Sequence, residues 1–495
     1  MRSCFYKFLT LSCIVALLGD SVLAKDYEAT EGSYLGGSYN DGNNDRNNDA
    51  DEKTQEMDYY PFTKSKGSIA TEDVIGIRIS GKKITLLGKD KTYSEERERD
   101  KGFFAEDYFS KYPRLISVEM SNVKLTRESL EKIQMFLPKT VKSLIINSCT
   151  IEKGDFEEFT DIITRHKQIE SLTVTDPNMA RAEAAKLLAA VGDLNVIKYL
   201  RLTLGELGEE GCVTLQKILE KSKETLLELN LGFVRISNSN SYDGLLKFLG
   251  ELKKLKKLEY SVLESTENQV GEFFSSLANL KNLTDLKICF DDLNSHDTVE
   301  AYHNFQSLNS ALIKLKHLEN LDVSGMNLPD SSLQTISNAL EGLTELKTLN
   351  VSGNPINEKT AKVLGAAIKN IDSLISFAAN DCGIDDLAFS SLCSGLQNSS
   401  LRYAYFNSNN IAGAVKSLSV SQMKNLIAIN FANNKITLFD AIKFMETIPS
   451  GTKLEVVNWE GNDFTGVSEH QQIQERNKLK IWKKEHGVNT LDLGI

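Results

Sequence analysis

The sequence predicts an α/β solenoid, with short parallel strands on a concave inner face and helices on a convex outer one. Two observations carry that prediction. One short motif recurs at a nearly fixed interval, and each interval contains two hydrophobic periods, one of 2 and one of 3.6. The stretch LNVSGNPI at 349–356 returns as LDVSGMNL 28 residues earlier, and again as INFANNKI and VNWEGNDF further on.

The pattern L-x-x-L-x-L-x-x-N-x-L can be laid with its first position on Leu318, Leu346, Leu374, Leu401, Leu426 and Leu454, at intervals of 28, 28, 27, 25 and 28. The same frame runs backwards through Leu283, Leu258, Leu226, Ile197, Ile169, Val141 and Leu115, about 13 repeats spanning 115–464. In LKTLNVSGNPI the residues Leu346, Leu349, Val351 and Ile356 point inward while Thr348, Asn350 and Ser352 alternate outward, as in a short strand. In PDSSLQTISNALEGL the residues Leu333, Ile336, Leu340 and Leu343 form a helical stripe, with Asp330 or Ser331 as the expected N-cap.

A unit of this size cannot bury its apolar stripe alone, but stacked units share one core. Helices need about 10 Å of width and strands about 4.8 Å, so the stack bends with its strands inside. At the motif's Asn position the chain leaves the strand. An amide there can bond backbone groups that the turn would otherwise orphan. Asn354, Asn409, Asn434 and Asn462 are the expected structural turn residues, and Cys149 and Cys382 occupy the same place in their repeats.

These features resemble the ribonuclease-inhibitor-like subtype of leucine-rich repeat, and the resemblance implies a leucine-rich repeat horseshoe over 115–464. It also implies that binding, rather than catalysis, is the business of the chain. Residues 61–114 are expected to form an N-terminal cap that includes a helix over YSEERERDKGFFAEDYFSKY and a degenerate strand from Val74. Residues 465–495 are expected to form a C-terminal capping helix, HQQIQERNKLKIWKKE, and a tail.

The remaining segments bear on location. Residues 1–24 carry Arg2 and Lys7, an apolar run from Phe8 to Leu18, and Val22-Leu23-Ala24, which is the form of a cleavable secretory signal. The run is shorter than the roughly 20 residues a membrane span needs, so no stable span is expected after cleavage. Residues 25–60 are rich in Gly, Asn and Asp and nearly empty of aliphatic residues, the composition of a disordered acidic linker. A secreted, periplasmic or cell-envelope protein follows as the expectation, and a bacterial factor acting on host proteins fits it.

Several chemistries are argued against. A net charge of -11 opposes a general nucleic-acid binder. Five cysteines beyond residue 24, scattered and without CxxC spacing, suggest neither a disulfide framework nor a zinc site. HExxH, GxSxG, GxxxxGK[ST] and GxGxxG motifs are absent, so no catalytic, cofactor-binding or metal-binding residues are expected. The lysines of KFLGELKKLKKLEY alternate with leucines and are expected to be a solvated edge.

What remains is surface. The expected concave positions are Tyr199, Arg201, Glu228, Asn230, Tyr260, Asp285, Lys287, Asp322, Asn350, Asn380, Tyr403, Tyr405, Asn430, Asn458 and Glu460. They span an inner arc of roughly 60 Å, a size suited to a protein partner. Tyr403 and Tyr405 stand out because aromatic residues dominate interface hot spots. Trp459 falls on an inward position. The repeat type is also similar to Ran GTPase-activating protein, which implies regulation of a small GTPase as an alternative, although no functional motif of that family can be matched residue by residue.

Overall fold

The structure is a computed structural model. It describes residues 74–80, 83–88, 92–96, 109–152, 154–236, 240–262, 266–290, 299–397, 399–464, 474 and 490–492. The expected export signal, the expected acidic linker and, apart from Gln474, the expected closing helix lie outside the described residues.

Nineteen strands are described. They are β1 (Val74–Ser80), β2 (Lys83–Gly88), β3 (Thr92–Glu96), β4 (Ser117–Ser121), β5 (Lys124–Leu125), β6 (Ser143–Asn147), β7 (Thr150–Ile151), β8 (Ser171–Asp176), β9 (Tyr199–Leu207), β10 (Glu228–Ile236), β11 (Lys257–Val262), β12 (Asp285–Phe290), β13 (Asn320–Asp322), β14 (Thr348–Asn350), β15 (Ser376–Ala378), β16 (Tyr403–Tyr405), β17 (Ala428–Asn430), β18 (Val456–Asn458) and β19 (Thr490–Asp492). All but β5 and β7 join one sheet. From β4 to β19 each strand pairs in parallel with the strand of the next repeat, without a crossover. β1 enters the same parallel series beside β4, and β2 and β3 extend it antiparallel.

All but one of the described repeats return through an α-helix, as in Arg127–Phe136, Phe156–Arg165, Arg181–Gly192, Glu209–Ser222, Asp330–Leu340, Glu358–Lys369 and Asp386–Leu396. Caps begin several of them. Thr126 accepts from Ser129 N, Asn357 from Thr360 N, Asp385 from Ala388 N and Thr437 from Asp440 N, each filling a donor that the first turn leaves open. Asp330 is the first helical residue rather than the cap, which is Pro329. Its carboxylate instead accepts from Asn357 and Thr360 of the next repeat. The repeat after β16 replaces its α-helix by two 3-10 turns, Gly413–Ser417 and Val420–Gln422, which accounts for its 25-residue length.

The core lies between sheet and helices. Its pattern leucines, among them Leu115, Leu226, Leu255, Leu283, Leu318, Leu346, Leu374 and Leu401, are fully buried. Phe406, Phe431 and Trp459 occupy one inward position in successive repeats, with Phe431 stacked on Phe406 at 5.9 Å and on Trp459 at 5.2 Å.

Three expectations are corrected. The frame from Leu258 shifts to Leu255, because β11 pairs Lys257 with Glu228 and Asp285, the second residues after Leu226 and Leu283. Tyr93–Glu96 is strand rather than capping helix. Its pairing with β2 overrides the helical preference of a Glu- and Arg-rich segment. The tail supplies one more parallel strand, β19, beside β18.

Candidate protein-binding face

Outward positions of the sheet fall into rows set by the register. One row runs Arg78, Glu119, Ile145, Thr173, Arg201, Asn230, Glu259, Lys287, Asp322, Asn350, Ala378, Tyr405, Asn430, Asn458. A second contains Tyr199, Glu228, Lys257, Asp285, Asn320, Thr348, Ser376 and Tyr403.

The two halves of the face differ. From β9 to β12 it is charged and open. Tyr199 is 39% exposed and Arg201 is exposed, whereas Glu228, Asn230, Asp285 and Lys287 are partly so. Glu259 is the centre of this half. It accepts from Asn230 Nδ2, and its carboxylate lies 3.2 Å from Lys287 Nζ and 3.9 Å from Arg201. A carboxylate shared by Lys287 on the adjacent strand and Arg201 two strands away fixes long side chains that would otherwise lose entropy on meeting a partner. Asn320 continues the polar row by donating to Asp285 at 2.7 Å.

From β13 onward the outward polar groups are largely spent on the fold. Asp322 accepts from Ser324 N, Asn350 from Ser352 N, Asn430 from Ala432 N and Asn458 from Glu460 N, so each side chain forms the turn that ends its own strand. Asn430 and Asn458 are buried, and that removes them from an open binding surface. Asn380 is partly exposed and accepts from Asn407 N, while Glu460 is exposed.

The tyrosines are reassigned in part. Tyr260 points inward, 1% exposed, stacked on Phe273 at 4.2 Å with its hydroxyl against that of Tyr242. The misplaced frame had turned it outward. Tyr403 keeps its outward register but is 4% exposed, so it offers no free ring. Its neighbour Tyr405 is half-buried, and burial pushes its phenol up to about 12. Glu259 and Lys257 are the outward residues that the sequence frame missed; moving the frame to Leu255 would have found both.

Beneath the face the turn residues form a ladder. Asn354 donates to Val323 O and Val351 O and accepts from Leu328 N. Asn409 donates to Ala379 O and Phe406 O and accepts from Cys382 N and Ile384 N. Asn434 donates to Phe406 O and Phe431 O and accepts from Ile411 N, and Asn462 donates to Phe431 O and Trp459 O and accepts from Ile436 N. Cys382 lies on the same ladder with its Sγ 3.2 Å from Asn380 O. Burial pushes its thiol up to about 12, which suits a packing residue and not a nucleophile.

Among the described residues no cluster of His, Cys, Asp and Glu could hold a metal ion, and no helix is long and apolar enough to cross a membrane. No family model matches the chain, and no curated protein does. Among solved structures it is similar to a chain of the yeast Rad7 and Elc1 complex, at TM-score 0.45 and 18% identity over 70% of this chain and 82% of that one. It is also similar to a chain of the TLR13–ssRNA13 complex, at 0.39 and 17% over 70% and 47%, and to the internalin InlF of Listeria monocytogenes, at 0.36 and 16% over 71% and 87%. The assignment of the fold rests on the strand register and the buried repeat positions. By those criteria the chain is an α/β leucine-rich repeat solenoid with a continuous parallel inner sheet and helices outside it.

Proposed function

We propose that the chain is an exported, non-enzymatic binding scaffold of the ribonuclease-inhibitor-like subtype, one that recognises another protein on its concave face. The observation that carries this reading is the open charged segment from Tyr199 to Lys287, where cations and carboxylates stand fixed on four adjacent strands. Preordered charges of both signs favour a protein surface over a small molecule. Repeats of 25 to 29 residues, with the one from Leu283 to Leu318 longer at 35 and the one after β16 alone lacking its α-helix among the described repeats, support the subtype, and the signal-like 1–24 segment supports export and a bacterial host-directed role.

Affinity capture by the full chain from host-cell and envelope extracts tests the reading, run beside a Tyr199→Ala/Arg201→Ala/Glu259→Ala variant with unchanged circular dichroism. A partner held by the first and released by the second supports recognition between β9 and β12. A partner held equally by both moves the site off the concave face.

A further inference from the structure

The helices of the array run parallel to one another, and their charges are sorted by end. Carboxylates occupy first turns, at Glu157, Glu183, Glu209, Asp330, Glu358 and Asp386. Such placement complements the positive end of each helix dipole, and stacking adds it up along one edge of the solenoid. The opposite edge is built from the turns that lead out of the helices and into the strands. There the middle of the array is basic.

Three consecutive turns concentrate the effect: 250–256, 278–284 and 313–317. They carry Lys253, Lys254, Lys256, Lys281, Lys314 and Lys316, all exposed, against Glu251 and, just past Leu318, Glu319, which pairs with Lys347; Lys254 also pairs with Glu224 of the preceding turn. The register explains why. Leu252, Leu255, Leu280, Leu283, Leu315 and Leu318 are fully buried, which leaves only the residues between them to solvent. Helix dipoles alone do not account for these lysines, because they lie beyond the last helical turns. The edge also exposes Ile313, at 46%, directly beside Lys314. Further along it, Ile116 is 46% and Val196 39% exposed.

We propose that this edge is a docking surface for an anionic lipid bilayer, distinct from the concave face. Parallel strands in register bring their leading turns to a common edge, so several turns can meet a plane at once. Lysine ammonium groups on long stems suit a diffuse anionic surface and need no fixed acceptor geometry. Exposed aliphatic side chains among them can enter the headgroup region. Arginine and the stacking aromatics used for single-stranded nucleic acid are missing from these three turns. The acidic opposite edge orients the molecule, since an anionic surface repels it.

Vesicle co-sedimentation tests the proposal. The full chain is mixed with phosphatidylcholine vesicles and with vesicles containing about one third phosphatidylglycerol, at low salt and at about 0.3 M salt. Neutral vesicles report any contribution of the N-terminal apolar run. The expected result is binding to the anionic vesicles alone, at least about tenfold weaker at the higher salt and in Lys253→Glu/Lys256→Glu/Lys281→Glu/Lys314→Glu, and reduced in Ile313→Ser. A Lys359→Glu/Lys362→Glu control on the helix Glu358–Lys369 keeps wild-type binding, and melting curves verify folding of each variant. Equal binding to neutral vesicles, no binding, or full binding by the quadruple variant overturns the proposal. Displacement from anionic vesicles by a single-stranded RNA homopolymer at lower charge concentration than by heparin also overturns it, and would reassign the edge to nucleic acid.

Discussion

Replacing Asn409 by alanine removes five hydrogen-bond contacts from a residue that is 6% exposed. Their loss is unequal. Phe406 O still receives Asn434 Nδ2 at 2.8 Å, and Asn407 O still receives Asp381 N at 2.9 Å. Cys382 N–H, Ile384 N–H and Ala379 C=O lose the partner described for them. At about 1–3 kcal/mol for each buried group left unpaired, and with some relief from entering water, Asn409→Ala should cost about 3–5 kcal/mol. Urea unfolding followed by tryptophan emission, to which Trp459, buried two strands away, contributes beside Trp482, measures the loss. Asn380→Ala, which gives up one described bond to Asn407 N, is the control and should cost about 1 kcal/mol. Asn409→Asp sharpens the test. A carboxylate can accept from Cys382 N and Ile384 N but cannot donate to Ala379 O, and it repels that carbonyl. Its protonated form regains a donor, so the folded state raises the pKa of the new carboxyl and the deficit should shrink as pH falls. A cost below about 1 kcal/mol for Asn409→Ala, or a deficit in Asn409→Asp that grows on acidification, would refute the idea that the ladder is held by paired amide bonds.

Other perturbations probe different parts of the molecule. Gly395→Ala should destabilise by about 1–3 kcal/mol or more, because a Cβ there would sit 1.9 Å from Gly365 O, whereas Gly365→Ala meets Leu392 O at 3.2 Å and should cost less; thermal melts compare the two. The thiols Cys149, Cys212, Cys289, Cys382 and Cys393 are buried, and burial pushes Cys149 up to about 11 and Cys212 up to about 12, so Ellman's reagent at pH 8 should reach them only after denaturation. Tyr405 has a folded-state value of about 12 against about 10 in an unfolded chain, so it favours the fold below pH 10 and that contribution is lost as pH rises from 10 through 12. Phenolate absorbance at alkaline pH should therefore rise late in the native chain and earlier in urea. Glu259→Gln should cost little stability but leave Arg201 and Lys287 without their shared counter-charge, and salt-dependent partner capture would show a changed slope.

Much of the fold could be read from the C-terminal repeats, where every inward residue is Leu, Val, Phe, Ile, Ala or Trp and an Asn marks the turn in four of the six. Reading was harder at LKKLKKLEY, where Leu252, Leu255 and Leu258 are spaced by three and accept either of two frames. Only the strand that follows decides between them: the frame from Leu255 buries Leu258, Tyr260 and Val262, an unbroken apolar alternation. Tyrosine counts as polar or apolar according to where its hydroxyl ends, and Tyr242 could not be foreseen as its neighbour. Strand β3 was hidden for another reason, since its Glu residues favour helix until β2 pairs with them. Strand β19 left a faint trace. Thr490-Leu491-Asp492 has the form of Asn320-Leu321-Asp322, but without a following turn motif to mark it. The face itself was legible in register and not in availability, because whether an outward Asn faces a partner or its own turn depends on backbone geometry.

The ladder has a consequence for how such a chain can change length. Beyond β13 the turn side chain reaches to the backbone of the repeat before, so a whole repeat can be removed there without opening donors and acceptors only where the repeat that then follows carries an Asn at the same place. Around β9 and β10 the corresponding residues, Gly205 and Val234, lie inside nine-residue strands whose backbone groups pair strand to strand. Loss of the repeat from Leu401 would seat Asn434 where Asn409 stands, whereas loss of the repeat from Leu346 would leave Cys382 in place of Asn354 and open the bonds that its amide makes to Val323 O and Leu328 N.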